Sequence, residues 1–124
     1  MKTLPHYLNG EFSAGNSQRT SPVYNPATDE QSAQVALATA DETREAVRIA
    51  EEALPPGLKP SPLKRARILF KFKALVEEHT DELARLISSE HGKVFSDAKG
   101  EVTRGLEVVE FACGIPHLQR VNTP

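Results

Sequence analysis

The chain has 124 residues, 39% of them hydrophobic and 26% charged, with a formal net charge of -2. That is the size of a single globular domain, and the balance excludes a disordered or fibrous chain and argues against a general nucleic-acid binder. No apolar run approaches the roughly 20 residues that cross a bilayer, Met1 to Gly10 has no apolar signal region, and the single Cys113 excludes a disulfide framework and fits a reducing, cytoplasmic compartment.

The chain reads as an N-terminal strand region followed, from about Thr39, by helices. Tyr7-Leu8-Asn9-Gly10-Glu11-Phe12 predicts a tight hairpin, because Asn-Gly accepts the positive φ of a type I′ turn. Ser13 to Ser21 reads as a loop. Pro22-Val23-Tyr24 and Gln34-Val35-Ala36-Leu37 flank Asn25-Pro26-Ala27-Thr28-Asp29, a run of turn formers that reverses the chain.

The first helix starts near Ala40, since Thr39 and Glu42 have the spacing of a capping box. Ala46, Val47, Ile49, Ala50, Ala53 and Leu54 lie on its apolar side, and Pro55-Pro56-Gly57 is expected to stop it. Ser61 then reads as an N-cap with Pro62 at the first helical position. This second helix has one apolar face of Leu63, Ala66, Phe70 and Ala74 and another of Ile68, Leu69, Phe72, Leu75 and Val76. Only Lys64, Arg67, Lys71 and Glu78 form a clean polar stripe, so the helix is expected to be buried on most sides.

Thr80, Asp81 and Glu82 open a third helix that turns Leu83, Leu86 and Ile87 inward, with Gly92 as its C-terminal stop. Ser96 and Asp97 open the last, whose apolar face holds Ala98, Val102, Gly105, Leu106, Val109, Ala112 and Cys113. Val108, Phe111 and Ile115 form a smaller stripe, and Pro116 is expected to end or kink this helix. The fold class is thus α+β: short β-hairpins followed by about four α-helices. The whole, 1–124, reads as one incomplete domain, with a hairpin region at 1–38, a helical region at 39–118 and a divergent tail at 119–124.

The candidate chemistry is sparse. Cys113 and His117 have the spacing of one helical side, which suits a nucleophile pair or half a metal site. Cys113 nevertheless belongs to an apolar face, where a small buried thiol is ordinary, and Pro116 interrupts the spacing. His6, His79 and His91 have no partner at metal-ligand spacing. Lys59, Lys64, Arg65, Arg67, Lys71 and Lys73 form an acid-free basic window, the one feature suited to an anion or nucleic acid. Its charges are spread around the helix, and Glu45, Glu51 and Glu52 of the preceding helix are placed to neutralise them. Glu101, Glu107 and Glu110 have no facing carboxylate. The glycines make neither a dinucleotide fingerprint nor a phosphate loop. Gly100 and Gly105 inside a helix cost roughly 1 kcal/mol each against Ala and suggest close approach of another element. No catalytic, cofactor-binding or metal-binding residue is assigned.

Four segments, in order and spacing, resemble the start of the aldehyde dehydrogenase superfamily: Leu8-Asn9-Gly10-Glu11-Phe12, Val23-Tyr24-Asn25-Pro26-Ala27-Thr28, the helix Ala46 to Ala53, and Glu90-His91-Gly92-Lys93 leading into Asp97-Ala98 and Glu101-Val102. Arg65-Ala66-Arg67-Ile68-Leu69-Phe70-Lys71-Phe72 and the run from Gly100 to Leu118 resemble the CoA-acylating methylmalonate-semialdehyde dehydrogenases. The resemblance covers about Tyr7 to Leu118. It implies the leading part of an NAD-binding α/β domain. In the complete family enzyme a catalytic Cys attacks the semialdehyde, hydride passes to NAD, and the acyl group passes to CoA as propionyl-CoA or acetyl-CoA.

The resemblance also implies what this chain lacks. The family's Pro-Trp-Asn-Phe-Pro segment, its nucleotide-contacting segments and its catalytic Cys all lie downstream, and Cys113 matches a helical position that is not the nucleophile. The chain is therefore expected to be a truncated portion that binds no NAD or CoA and is inactive by itself. Dehydrogenase subunits are its expected partners, with no nucleic acid and no membrane. Gly57 stands where the family usually has Trp, and Gln119 to Pro124 is expected to leave the family pattern, as after a frame change or premature stop. The alternative is a free-standing helical interaction module that binds a protein or anionic partner through the Lys59–Lys73 helix.

Overall fold

In the computed structural model, residues 1–121 are described, and the chain divides after Leu58 into two compact units. The first holds five short strands and one helix. β1 (Lys2–Leu4) lies parallel to β5 (Gln31–Ala36), and β5 pairs antiparallel with β4 (Thr20–Tyr24), giving the order β1-β5-β4. β1 has no counterpart in the sequence pattern, because three residues carry too little alternation to signal a strand. It is held by its register, Lys2 to Ala33 through Leu4 to Val35, and by Gln34 Nε2 donating to Thr3 Oγ1 at 2.8 Å.

The Asn-Gly hairpin forms as expected. β2 (His6–Leu8) and β3 (Glu11–Ser13) pair antiparallel around Asn9 and Gly10, whose φ values are 53° and 80°. Tyr7 and Phe12 sit opposite each other with ring centroids 5.1 Å apart. Between β4 and β5, Asn25 closes the turn: its Oδ1 accepts from the Ala27 N–H at 2.9 Å and its carbonyl from Asp29 at 2.8 Å.

α1 (Ala40–Leu58) carries both Pro55 and Pro56 inside it, so the expected stop at these residues is wrong. Their fixed φ is compatible with helix, and what they remove is ladder hydrogen bonds to the preceding turn. The helix therefore runs on to Leu58. Along its exposed side Arg48 pairs with Glu45 and Glu52, and Arg44 with Asp41.

The second unit is helical: α2 (Pro62–Glu78), α3 (Thr80–His91), α4 (Phe95–Cys113) and α5 (Ile115–Val121). Five helices thus stand where about four were expected, because α4 ends at Gly114 and Pro116 falls in the first turn of α5. There its missing N–H has no ladder partner to lose. Ser61 caps α2 by accepting the Lys64 N–H at 3.3 Å, and Gly92 ends α3 at φ 87° with its N–H on the Ser88 carbonyl. α4 begins at Phe95, one residue before the expected Ser96, with Val94 at its N-cap.

α4 packs on both α2 and α3. The seam is made of small residues: Ala66, Ala84, Ala98, Val102 and Cys113 are the buried residues of this unit among those described. Lys99 reaches Asp81 at 3.0 Å, Lys93 pairs with Glu101, and Arg85 and Lys99 both lie over the Phe95 ring.

Two burial expectations fail. Leu86 is exposed, and α2 buries Ala66 alone rather than most of its surface. The line of α2 that packs runs through Ala66, Leu69, Lys73 and Val76, between the two apolar faces read from the sequence. The seam thus takes Ala66 from one face and Leu69 and Val76 from the other, and the remaining members, among them Ile68, Phe70, Phe72 and Leu75, are exposed on either side of it.

Candidate functional site

In the first unit, polar groups converge on Glu42. The Thr39 N–H donates to Glu42 Oε2 at 2.8 Å and the Glu42 N–H to Thr39 Oγ1 at 3.1 Å, the capping box expected from the sequence. The other carboxylate oxygen accepts the Asn16 N–H at 2.6 Å. These backbone donors, those of Thr39 and Asn16, hold the Glu42 carboxyl below its ordinary value, and the nearby His6 adds a smaller effect in the same direction. Gly15 makes the approach geometrically open. It has φ 76°, and a Cβ there would stand 2.8 Å from Glu42 Oε1 and 3.1 Å from the His6 ring.

Two concavities flank this cluster. One, of about 220 Å³, is lined by His6, Tyr7, Leu8, Ala38, Glu42, Thr43 and Ala46. The other, of about 640 Å³, is lined by Leu8, Ser13, Asn16, Thr39, Asp41, Glu42 and Glu45. The sequence pattern shows the Thr39–Glu42 half of the cluster and misses Asn16 and His6. Their proximity is set by chain reversal over many residues, which no local spacing signals. The carboxylate is occupied by backbone donors, and the cluster's visible role is to tie the loop before β4 to the start of α1.

In the second unit, Cys113 is buried in the helical seam, as an apolar residue of its face. His117 lies on the far side of the α4–α5 break, so the two do not share a continuous helix. His79 joins α2 to α3 and its Nδ1 lies 2.9 Å from Glu82 Oε2. His91 ends α3. Among the described residues, no three His, Cys, Asp or Glu side chains could hold a metal ion.

The charged groups on either side of the basic window pair within their own units. Glu45 and Glu52 pair with Arg48 of their own helix. Lys73 pairs with Glu77 at 2.6 Å, and this hydrogen bond raises its pKa, with smaller contributions from the charges of Glu77 and Glu110. Glu101 is held below its ordinary value chiefly by its hydrogen bond from Lys93. A shallow apolar cavity of about 160 Å³ lies between α2, α4 and α5, lined by Arg65, Leu69, Ala112 and Ile115 among others. A Cβ on Gly105 would meet nothing within 4 Å, so no element of the second unit makes the close approach expected there.

A family profile described as aldehyde dehydrogenase matches residues 12–123. The chain belongs to the aldehyde dehydrogenase family. The expected departure from the family pattern falls at Gln119 to Pro124, of which residues 122–124 lie outside the described residues. The chain is 49% identical over 117 residues to malonate-semialdehyde dehydrogenase 3 of Geobacillus kaustophilus (strain HTA426), covering 94% of this chain and 24% of that protein. It is 42% identical over 118 residues to the malonate-semialdehyde dehydrogenase of Pseudomonas aeruginosa, covering 95% and 24%.

The fold is that of the same family. The crystal structure of methylmalonate-semialdehyde dehydrogenase from Oceanimonas doudoroffii superposes with a TM-score of 0.90 at 46% identity, over 95% of this chain and 24% of that one. A Sinorhizobium meliloti 1021 protein, assigned as a methylmalonate-semialdehyde dehydrogenase and crystallised with NAD, gives 0.91 at 46% identity, over 96% and 24%. The chain thus spans about 24% of the length of the aldehyde dehydrogenases it matches. Among the described residues, no helix is long and apolar enough to cross a membrane.

Proposed function

We propose that the chain is the leading scaffold segment of a cytoplasmic, NAD-dependent, CoA-acylating methylmalonate- or malonate-semialdehyde dehydrogenase, and that by itself it turns over no substrate. The observation that carries this reading is the 49% identity to a malonate-semialdehyde dehydrogenase confined to 24% of that enzyme's length. The described residues agree with a scaffold role. Their one cysteine is buried in a helical seam, and their best-organised carboxylate is occupied in capping α1.

In the complete enzyme, NAD would accept hydride from the semialdehyde and CoA would accept the acyl group. Covalent chemistry of this kind needs a thiolate with access to substrate, and Cys113 is buried in the helical seam. What this chain contributes is position. The capping box and hairpin fix the start of α1, and the small-residue seam fixes α4 against α2 and α3. The test is to mix the purified chain with NAD, CoA and malonate semialdehyde and follow absorbance at the NADH band. No signal above blank is expected; steady NADH formation overturns the inactivity of the chain.

A further inference from the structure

β2 and β3 form a sheet of their own, three residues to a strand, closed by Asn9 and Gly10. A two-stranded hairpin of this size is marginal in water. Across it Tyr7 and Phe12 pair with ring centroids 5.1 Å apart, yet these residues are 64% and 77% exposed. At the tip Asn9 and Gly10 are both exposed, at φ 53° and 80°. Among the described residues no hydrogen bond holds the Asn9 carboxamide or the Gly10 N–H, and a Cβ on Gly10 would meet nothing within 4 Å.

We propose that Asn9 is a site of spontaneous deamidation, and that opening of the β2–β3 hairpin sets its rate. The Gly10 nitrogen attacks Asn9 Cγ, and the new N–C bond closes a succinimide ring. The Cγ–Nδ2 bond breaks, and the carboxamide nitrogen leaves as ammonia with the proton given up by the Gly10 N–H. Water, the only co-reactant, then opens the ring at either carbonyl. One opening leaves an aspartyl residue; the other leaves an isoaspartyl residue, with the main chain rerouted through the side chain. Gly10 favours the attack because no Cβ shields its nitrogen. The closed turn opposes it: a left-handed residue such as Asn9 turns the following nitrogen away from its own Cβ, so ring closure waits on opening. The other described asparagines are protected differently. Asn25 precedes Pro26, which has no N–H, and its Oδ1 accepts from the Ala27 N–H. Asn16 precedes Ser17, whose Cβ crowds the nitrogen, and its own N–H is bound to Glu42. Either product adds a negative charge at the tip, beside Glu11. The isoaspartyl form also adds a main-chain carbon between Leu8 and Glu11, which their register does not accommodate. Leu8 lines both concavities beside Glu42, so loosening β2 disturbs a wall of each.

The test holds the chain in mildly alkaline buffer, folded and in parallel in concentrated urea, and samples both by peptide mass spectrometry. The expected result in the folded chain is a gain of about one mass unit, assigned by fragment ions to Asn9 and present in two separable isomers. Asn16 and Asn25 should stay unmodified over the same time. Urea should speed the reaction at Asn9. Phe12→Ala should speed it in the folded chain by about twofold to tenfold, the weight of one aromatic pair, and leave the rate in urea unchanged. Far-UV circular dichroism of that variant should match the parent; acceleration that comes with loss of helix signal counts against a local gate. Equal rates in the folded and urea-unfolded chains overturn the hairpin as the gate. An Asn9 that converts only in urea, or an Asn16 that converts as fast, overturns Asn9 as the site.

Discussion

The backbone N–H of Asn16 lies 2.6 Å from Glu42 Oε1, joining two residues 26 apart in sequence. The same carboxylate caps α1 through Thr39, so one side chain fixes both the loop entering β4 and the start of the helix. Gly15 permits this contact by adopting φ 76° with no side chain facing the carboxylate. Gly15→Ala is therefore expected to destabilise the first unit by more than about 1 kcal/mol, combining the cost of a positive φ with a steric clash. Urea unfolding followed by circular dichroism checks this; an unchanged midpoint would contradict it.

Thr39→Ala removes the acceptor for the Glu42 N–H and leaves the helix start with an unsatisfied donor. The expected loss is about 1 kcal/mol, as for other cap deletions. Thr39→Ser, which keeps the hydroxyl, is expected to restore most of it, and parallel thermal melts of the two variants distinguish the outcomes.

The capping carboxylate also sets an acid limit. Hydrogen bonds from Thr39 and Asn16 hold the Glu42 pKa below 4.5 in the folded chain. A depressed carboxyl pKa contributes stability that is present above the unfolded value and is lost as pH falls through the folded one. The Glu42 contribution is therefore whole at neutral pH, begins to fade near the unfolded value of about 4.5, and is lost progressively as pH falls further through the folded one. Glu42→Gln should flatten the stability profile on this acid side and alter it little between pH 6 and 8. An acid limb of equal steepness in parent and variant would assign the loss to other groups.

Glu101 is placed likewise beside Lys93, whose hydrogen bond lowers its pKa from 4.5. Carboxyl carbon shifts in an NMR titration should show Glu101 releasing its proton below the ordinary carboxylate range. Lys93→Met should move the Glu101 midpoint back upward. Identical midpoints before and after that substitution would remove the pair from the account.

Local features of this fold were legible wherever one residue type leaves the backbone few choices. Asn9-Gly10 marks its turn, Thr39 with Glu42 its cap, Ser61-Pro62 its helix start and Gly92 its helix end. Pro55 and Pro56 mislead because φ near −65° suits a helix, although each removes a donor and crowds the carbonyl of the preceding turn. Pro116 misleads for the complementary reason, since it belongs to the opening turn of α5. β1 and the Asn16–Glu42 bond escape because both are made between distant parts of the chain. The two faces of α2 are apolar as their spacing indicates, but periodicity reports a preference for burial and not the presence of a cover. That cover is absent among the described residues, so Phe72 and its neighbours face outward.

The most direct test of the scaffold reading is a calorimetric titration of the purified chain with NAD. A segment that positions helices but carries no nucleotide contact should give only the heat of dilution at millimolar NAD. A saturable one-to-one isotherm would place a cofactor site within these 124 residues and contradict the account.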